Sequence, residues 1–581
     1  MPETKQCKQC QKEFTVADED LEFYKKISPK FAGKTFEIPS PTLCPSCRRQ
    51  RRLVWRNNNA LYKRKCDATG QDIISPFAPN SKHKVYLNSV WWSDKMDGMQ
   101  YGRDFDPSKS FFQQLQNLHL EVPVPHNYNV DNENSEYANC SSGTKDSYLI
   151  QSSTDSEDCY YSHFISRAKD CIDCLRVFYS EKCYECVNVD SSYECFYCTD
   201  SMDCSEGLFL DHCRNCKNSF ACSNLQGKQY WVYNKQSTKE EYEKIKNEFL
   251  SLRGEEREKK IQEIREFLEK SPKRFSYIIK SEDCTGNQIY LCKNASNCFY
   301  TGNSENIKNC FNLEFAKDSM DHDFWGEQTE NVYESAEVGN QVSNIFFSRN
   351  CHSNCNNIYY SIGAYNGSSS CFGCVGLKHK EYCILNKQYS KEKYEKKVAQ
   401  IITQMQESGE WGQFFSMSMS LFAYNESLAQ DYFPLDKGEV EKIGAYWQAE
   451  DFSPKYEGPS YKPKDIGQYN INNNSAAQKE IDEALVGVIK DGINGKPFKL
   501  QSRELAFYIE NNLQIPTNHP DQRHKERFKL TNPLTLYHRQ CDCEESGHDH
   551  KDRCPNEFET TYASDRPEKV YCESCYQQSV I

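Results

Sequence analysis

Two pairs of cysteines near the amino terminus have the spacing of a metal site. Cys7 and Cys10 are separated by two residues, and Cys44 and Cys47 are separated in the same way. Two CxxC pairs supply the four thiolates that hold Zn²⁺ tetrahedrally in structural sites. The second pair also lies at the start of an arginine-rich segment, as the second knuckle of a treble clef lies at the start of its helix. We therefore predict a structural zinc site at these four cysteines.

A second set of cysteines lies near the carboxyl terminus. Cys572 and Cys575 form another CxxC pair, and Cys541 and Cys554 complete a set of four thiols. Cys543 is an alternative to Cys541, because a single residue separates the two. The four thiols predict a second zinc site, so the predicted cofactors are two zinc ions.

The two ends of the chain have related sequences. FTVADEDLEFYKK at 14–26 aligns with FKLQSRELAFYIE at 498–510, and CPSCRRQRRL at 44–53 aligns with HPDQRHKERF at 519–528. We infer that one small module of the zinc-ribbon or treble-clef type occurs twice, once at each end of the chain.

Each copy of this module is expected to keep a different one of two metal sites. At the first site the carboxyl-terminal copy carries poor zinc ligands, which are Asp491, Asn494, His519 and Gln522. At the second site the amino-terminal copy retains Cys66 but has Leu87 and Val90 where the other copy has its CxxC pair. Cys66 is accordingly predicted to lack metal-binding partners.

The segment that follows the second CxxC pair is strongly basic. Its cationic residues are Arg48, Arg49, Arg51, Arg52, Arg56, Lys63, Arg64 and Lys65. Trp55 and Tyr62 lie among them, and such a patch on a zinc-anchored helix can neutralise phosphates and stack a base. One interpretation is contact with nucleic acid or the ribosome. The other is that the arginines pair with acids inside the protein, for example Asp155, Glu157 and Asp158.

Cysteine recurs with a period of twelve residues in the middle of the chain. Two columns carry most of these cysteines: Cys159, Cys171, Cys183 and Cys195, then Cys174, Cys186, Cys198 and Cys222. An α-helix has no such period, whereas stacked strands repeat one side chain every ~4.8 Å. We therefore predict a β-solenoid here, and the pattern leaves open whether one coil holds one repeat or two.

The cysteines of this array have two interpretations. Ser, Ala, Gly and Val share their columns, which indicates that the positions require small buried side chains. The CxxC pairs of the array, such as Cys171 with Cys174, meet one metal only if the chain turns between them, because residues three apart in a strand face opposite sides. Packing is the favoured interpretation, and metal or disulfide chemistry is the alternative.

An aromatic column follows the cysteine column by one residue. Its members include Tyr148, Tyr160, Tyr184, Phe196 and Phe220. In a narrow coil these rings lie outside as a candidate binding surface, and in a wider coil they form the core. The sequence leaves both arrangements open.

A second, less regular array follows, with pairs such as Cys298-Phe299 and Ile345-Phe346. The two arrays end alike, in FACSNLQGKQYWVYNKQ and FGCVGLKHKEYCILNKQ, and each ending runs into a charged amphipathic segment. We predict a mainly β fold with α segments: a cysteine-laddered β-solenoid in two blocks, each ended by a helix, flanked by the duplicated zinc modules.

The predicted order along the chain is an amino-terminal zinc module with its arginine-rich helix (1–92), a connecting segment (93–135), a first solenoid block (136–237), an amphipathic helix (238–275), a second solenoid block (276–389), a helix with an aromatic-rich segment (390–452), a linker (453–485) and a carboxyl-terminal zinc module (486–581).

Composition limits the classes of function. The net charge of −13 disfavours a generic polyanion binder, and no apolar run approaches the about 20 residues of a membrane helix. The 31 cysteines, together with a start that lacks a signal peptide's apolar stretch, favour a cytoplasmic protein with metal-bound or buried thiols. No Walker, Rossmann, HExxH or GxSxG motif is present, so enzymatic activity is uncertain and not favoured.

Several segments carry a resemblance to other proteins. They are CPSCRRQRRLVWRN, NNALYKRKCDATGQDIIS, WWSDKMDGMQYGRDFD, FGCVGLKHKEYCILNK and FETTYASDRPEKVYCESCY. The chain resembles, over nearly its whole length, the uncharacterised cysteine-rich zinc-ribbon proteins predicted from candidate-phyla bacterial genomes. This resemblance implies membership of that group and brings no known activity, substrate or partner.

The expected function is a non-enzymatic zinc-binding scaffold that presents an extended solenoid surface to a protein or nucleic-acid partner. One alternative is a nucleic-acid- or ribosome-associated protein that binds through the arginine-rich helix. Others are a thiol redox or metal-handling protein, and a carbohydrate-active solenoid enzyme that rests on fold analogy alone. The sequence does not determine the oligomeric state.

Overall fold

The computed structural model describes residues 1–453, 455–471 and 476–580. Strands hold 29% of the chain and helices 24%, so the fold is mixed α/β with many strands and not mainly β. The α-helices of these residues are α1 (Asp18–Ile27), α2 (Pro45–Leu53), α3 (Asn88–Trp91), α4 (Phe111–Glu121), α5 (Lys239–Ser251), α6 (Gly254–Glu269), α7 (Lys391–Glu407), α8 (Leu428–Tyr432), α9 (Lys437–Lys442), α10 (Ala477–Val486), α11 (Ser502–Glu510), α12 (Pro520–Phe528) and α13 (Glu573–Ser579).

The first ladder is a stack of short parallel strands, closed at its end by one antiparallel strand. Its strands are Ala138–Asn139, Ile150–Gln151, His163–Ser166, Leu175–Phe178, Val187–Asp190, Leu208–Asp211, Phe220–Ser223, Trp231–Val232 and Lys235–Gln236. Leu175 pairs with Val187, twelve residues later, and isolated parallel bridges continue this spacing between the strands. The twelve-residue period of the sequence is therefore the register of the parallel strands.

Every third residue of the first ladder turns the chain. Asp170, Asp173, Arg176 and Tyr179 have φ angles of 50°, 56°, 57° and 49°, in the left-handed region. Because of these turns, residues three apart reach the same side of the backbone. The buried core inside the ladder accordingly contains members of adjacent columns, such as Cys171, Cys174 and Val177. The turn that the sequence left open between the cysteines of each pair is thus present.

The second ladder has the same design with a longer repeat in its middle. Its strands are Ile278–Ile279, Glu282–Tyr290, Lys293–Gly302, Glu305–Lys308, Phe311–Glu314, Lys317–Asp323, Glu330–Gly339, Ser343–Phe346, Arg349–His352, Asn356–Tyr359, Ile362–Tyr365, Ser369–Phe372, Val375–Lys378, Glu381–Ile384 and Lys387–Gln388. Lys293 pairs with Glu305, twelve residues later, whereas Ser343 pairs with Asn356, thirteen later. The extra residue explains why the second array looks irregular in sequence.

Both ladders end in the same way. Trp231–Val232 pairs antiparallel with Lys235–Gln236, and Glu381–Ile384 pairs antiparallel with Lys387–Gln388. A capping hydroxyl then starts each helix, since Thr238 Oγ1 accepts from an N–H of α5 at 3.1 Å and Ser390 caps α7. The first predicted helix is divided, because α5 and α6 are separate, whereas α7 is continuous.

The amino-terminal module packs on the second ladder, and the carboxyl-terminal module packs on the first. Residues of the amino-terminal module, α4, α7 and the segment after α7 share one buried cluster with the second ladder. Residues of the carboxyl-terminal module, α5 and α6 share another with the first ladder. The remaining short strands are Glu3–Gln6, Glu13–Val16, Lys30–Phe31, Lys34–Thr35, Tyr62–Lys65, Asp72–Ser75, Val85–Tyr86, Val124–Pro125, Lys273–Arg274, Ile489–Lys490, Pro497–Phe498, Tyr537–Gln540, Glu557–Thr560 and Val570–Tyr571.

The expected linker at 453–485 is partly packed. Ile466 and Tyr469 are buried in the cluster on the first ladder, and α10 occupies most of the last third of this stretch. Residues 454 and 472–475, which fall within the same expected linker, lie outside the described residues. The described part of this stretch therefore contacts the cluster on the first ladder.

Candidate metal centres

The amino-terminal cysteines form a compact cluster. Cys7 and Cys10 lie beyond strand Glu3–Gln6, and Cys44 and Cys47 lie at the start of α2. Their four Sγ atoms lie within 4.8 Å of one another, and Cys10 Sγ is 3.7 Å from Cys44 Sγ. Two sulfurs bound to one tetrahedral Zn²⁺ lie about 3.8 Å apart. The cluster therefore has the dimensions of a four-thiolate metal site.

Hydrogen bonds within this cluster favour the thiolate form of Cys44, and the same Cys44–Cys47 contact raises the pKa of Cys47. A hydrogen bond from the Cys47 thiol, with smaller contributions from other thiols and the backbone, lowers the pKa of Cys44 to about 5. The N–H of Cys44 donates to Cys7 Sγ at 3.3 Å. Since metal ions bind the deprotonated thiol, both contacts prepare the site for a cation.

The carboxyl-terminal cluster consists of Cys541, Cys554, Cys572 and Cys575, all buried. Cys554 Sγ lies 3.9 Å from Cys572 Sγ, again close to the separation expected for two sulfurs on one ion. Burial opposes ionisation of Cys572, but hydrogen bonds from the Cys575 N–H and the Asn556 side chain outweigh it and lower the pKa to about 7. This cluster therefore also fits a tetrahedral cation.

Of the two alternative ligands, the structure places Cys541 in the four-thiol cluster and Cys543 outside it. Cys543 Sγ is 3.1 Å from His548 Nδ1, and His550 Nε2 is 3.5 Å from Cys575 Sγ. Neither histidine is among the ligands predicted from the sequence. The pattern Cys-x-Cys-x4-His-x-His-x3-Cys at 541–554 is the signal that points to them.

Each module has one site that lacks a full set of metal ligands, and these two degenerate sites keep backbone contacts of a metal knuckle. The Asp491 N–H donates to Lys496 O at 2.9 Å, as the Cys7 N–H donates to Lys12 O at 2.9 Å. The Asp491 carboxylate accepts from the His519 N–H at 2.6 Å, where Cys7 Sγ accepts from the aligned residue. A carboxylate that accepts backbone N–H groups thus replaces the thiolate, in agreement with the weak ligand set seen in the sequence.

At the second degenerate site, Cys66 retains one contact of its metal-binding counterpart. Cys66 Sγ accepts from the Leu87 N–H at 3.2 Å, and Cys541 Sγ accepts from the Cys572 N–H at 3.2 Å. Leu87 is aligned with Cys572. The matching hydrogen bonds support the internal duplication inferred from the sequence.

A group of two aspartates and one histidine on the first ladder is paired with a lysine. Asp200, Asp211 and His212 lie close enough to hold a metal ion. However, the Lys273 ammonium pairs directly with the Asp211 carboxylate. The lysine supplies the positive charge that this buried group requires, so we do not assign a metal there.

Helix α2 is buried against the second ladder, where its arginines pair with acids. Arg48 Nη2 lies 2.8 Å from Asp321 Oδ2. Arg52 Nε lies 2.6 Å from Asp323, and its Nη1 lies 3.0 Å from Glu334. Burial opposes the charge of Arg52, but these acids raise its pKa above the ordinary value. The guanidinium groups are therefore charged, paired and enclosed.

The neighbouring arginines are held in the same way. Arg51 pairs with Glu334, and Arg56 Nη1 lies 3.0 Å from Glu337. Arg49 is buried and donates to two backbone carbonyls. These side chains are therefore held by contacts within the protein.

The remaining basic residues of the predicted patch lie on a separate hairpin. Lys63 and Lys65 are exposed, with Lys65 Nζ 2.9 Å from Asp72, and Arg64 lies 3.0 Å from Asp67. The acids suggested by the sequence as partners of α2 lie on the first ladder and pair there with other residues: Asp155 with Arg167, Glu157 with Lys169, and Asp158 with Arg503. That suggestion is wrong because α2 packs on the second ladder.

Helix α12 repeats the arrangement of α2 against the first ladder. Arg523 and Arg527 are aligned with Arg48 and Arg52. Both pair with the buried Asp173, and Arg527 Nη1 lies 2.8 Å from its Oδ1. The alignment of the two chain ends contains the signal for this second ion-pair network.

The aromatic column of the first ladder lies outside its core and is covered by the chain itself. Its predicted members Tyr148, Tyr160, Tyr184, Phe196 and Phe220 all pack in the cluster formed with the carboxyl-terminal module, α5 and α6. The Phe196 ring centre lies 6.3 Å from that of Phe507 in α11. The Phe220 centre lies 5.7 Å from that of Phe249 in α5. The column is therefore an intramolecular contact surface.

The thiols inside the ladders are satisfied by backbone carbonyls. Cys159 Sγ lies 3.2 Å from Glu157 O and 3.5 Å from Ala168 O, and this pair of contacts recurs along the columns. Burial raises the pKa of Cys222 to about 12, whereas hydrogen bonds from Cys204 and Cys213 lower the pKa of Cys216 to about 3. All 31 cysteines fall within the described residues, and none of them forms a disulfide there. These features fit packing rather than thiol chemistry.

Comparison with protein-family models and with curated proteins gives no match for this sequence. Among the described residues, no helix combines the length and the apolar character needed to cross a membrane.

Proposed function

We propose that this chain is a non-catalytic zinc-binding scaffold. In this proposal the two ladders are β-solenoid blocks, and the end modules are duplicated treble-clef-like zinc modules that lock onto them. The observation that carries the proposal is the amino-terminal cluster, in which Cys44 and Cys47 open α2 while α2 inserts its arginines among the acids of the second ladder. A metal at the cluster fixes the start of the helix that joins module to ladder.

The ligand sets support a structural role for the metal. Each four-cysteine cluster fills all four positions of a tetrahedral ion, whereas catalytic zinc sites keep one position open for water or substrate. Four thiolates in tetrahedral array are typical of zinc or of iron in sulfur coordination, and zinc is the ion we propose. Cysteines that form no disulfide in the described part of the chain fit the reducing cytoplasm, where we place the protein.

The proposed partner surface lies on ladder faces that the modules leave uncovered. The exposed large side chains there include Tyr179 and Tyr193 on the first ladder and Phe315 and Trp325 on the second. Aromatic groups of this kind are frequent anchors in protein interfaces. A role through α2 in nucleic-acid binding receives less support, because its arginines already have buried acidic partners.

Metal analysis of the purified full-length protein tests the proposed metal role. We expect Cys47→Ser to lose one equivalent of zinc and to unfold at a lower temperature, because one ligand of the amino-terminal site is missing. Cys66→Ser is the matched control: it removes a knuckle thiol without metal-binding partners and should keep the zinc content. Iron or copper in place of zinc, or a melting temperature that a chelator does not change, would overturn the proposal.

A further inference from the structure

The carboxyl-terminal module contains a second group of metal ligands beside its four-thiol cluster. The ligand atoms of Cys543, His548, His550 and Cys575 all lie within 4.8 Å of one another. Cys575 belongs to both groups, since it is also a member of the four-thiol cluster. The Cys575 thiol is therefore shared by two sets of four potential ligands.

One distance in this second group matches two ligands on one ion, that from Cys575 to His550, and the shorter one from Cys543 to His548 is a hydrogen-bond contact between two potential ligands. Cys543 Sγ is 3.1 Å from His548 Nδ1, and Cys575 Sγ is 3.5 Å from His550 Nε2. With Zn–S near 2.3 Å and Zn–N near 2.1 Å, a sulfur and a nitrogen on one tetrahedral ion lie about 3.6 Å apart. Two thiols and two imidazoles are also a common ligand set for zinc.

A hydrogen bond orients one imidazole for metal binding. His550 Nδ1 lies 2.5 Å from the Asp552 carbonyl oxygen, so Nδ1 carries the proton and donates. Nε2 then presents its lone pair toward Cys575. Histidines that bind metals generally donate their other ring N–H in this way, which fixes the tautomer and the ring orientation.

The local chain also fits a second ion. Residues 541–556 form neither helix nor strand, and backbone hydrogen bonds such as Cys554 N–H to Cys543 O, at 2.9 Å, hold the ends of this loop. An ion held by Cys543, His548 and His550 ties the loop to Cys575 at the start of α13. A cleft lined by residues that include His550, Ser574 and Cys575 opens at this place and gives an ion a route of entry.

We propose that the carboxyl-terminal module binds two zinc ions bridged by the Cys575 thiolate. One ion is held by Cys541, Cys554, Cys572 and Cys575, and the other by Cys543, His548, His550 and the same Cys575. The inference rests on the proposed zinc role of the four-thiol cluster. Each thiol releases its proton to solvent on binding, and the second ion offsets negative charge that the clustered thiolates otherwise concentrate.

The zinc content of the full-length protein provides the first test. We expect about three zinc ions per chain, one in the amino-terminal module and two in the carboxyl-terminal module. Cys543→Ser and His548→Ala/His550→Ala should each reduce this to about two, because the ligands they remove belong to the second ion alone. His538→Ala is the matched control, since His538 is an exposed histidine of the same module whose ring pairs with Glu557 and Glu559.

Substitution with ¹¹³Cd tests the bridge directly. The expected spectrum has three resonances, and two of them show cadmium–cadmium coupling through the shared sulfur. His548→Ala/His550→Ala should abolish one resonance and the coupling while the two four-thiolate resonances remain. A wild-type protein with only the two four-thiolate resonances, unchanged in that variant, overturns the bridged centre alone. A wild-type spectrum without the four-thiolate resonances overturns the proposed zinc role itself.

Discussion

At the scale of single residues, the ladder cores are governed by volume. The rung that begins at Gly207 shows this, because a Cβ added to Gly207 would lie 2.4 Å from Leu210 Cδ1. In the preceding rung the same two positions are Cys195 and Cys198. A large side chain in one column is thus accommodated by the loss of a side chain in the adjacent column. Because the interior is close-packed, the sum of volumes in a rung matters more than the presence of a thiol.

This complementarity predicts a strong coupling between two substitutions. Gly207→Cys alone should destabilise the protein by about 1–3 kcal/mol through overpacking, and Leu210→Cys alone by a similar amount through a cavity. The double variant restores the composition of the preceding rung and should recover about 0.5–3 kcal/mol relative to the sum. Chemical denaturation of the four proteins measures the coupling, and simple additivity would contradict the volume explanation.

At the scale of elements, α2 and α12 make equivalent contacts with the two ladders. Each helix begins in the first knuckle of its module and inserts two aligned arginines among acids of a ladder. In the amino-terminal copy the knuckle is a candidate metal site, whereas in the carboxyl-terminal copy Asp491 accepts hydrogen bonds in place of a thiolate. The ion-pair contacts of α12 therefore persist where the metal ligands of the first site have been replaced.

Removal of one arginine should be costly because its acids stay buried. We expect Arg52→Met to destabilise the protein by about 3–5 kcal/mol, since Asp323 and Glu334 lose a partner without access to water. The exposed pair of Lys65 with Asp72 is the control, and Lys65→Met should cost about 1 kcal/mol or less. Urea denaturation compares the two, and equal losses would argue against the buried network as a source of stability.

At the scale of the whole molecule, the two ladders and two modules form a crossed arrangement. The amino-terminal module covers the second ladder and the carboxyl-terminal module covers the first. The ladders also touch each other, with Arg176 Nη1 donating to Asn312 Oδ1 at 2.8 Å and its guanidinium 3.6 Å from the Tyr300 ring centre. The aromatic column of the first ladder joins distant parts of the chain in the same way, because it packs against α5, α6 and the carboxyl-terminal module.

The aromatic contacts predict a local loss of protection. Phe196→Ala and Phe220→Ala should each destabilise the protein by about 3–5 kcal/mol, and hydrogen exchange should accelerate most in α11 for the first variant and in α5 for the second. Tyr179→Ala is the control, because Tyr179 is 56% exposed on the same ladder. Unchanged exchange in α5 and α11 would show that the column does not hold these helices in place.

The sequence by itself determined the features that depend on spacing along the chain. The twelve-residue period became the register of parallel strands because each rung repeats the same backbone path. The CxxC knuckles and the alignment of the two ends identified the two four-cysteine clusters, since a knuckle is a local turn. Cys541 and Cys543 could not be separated in this way, because both lie at the same turn.

Only the tertiary structure decided which surfaces meet. The acids that pair with α2 are distant in sequence, since Arg48 and Asp321 are 273 residues apart, so no local pattern specifies them. The same holds for the aromatic column, whose burial depends on α5, α6 and α11 packing over it. Local spacing fixes how a segment folds, but long-range contacts depend on the free energy of burying whole faces together, and that is set by the assembled chain.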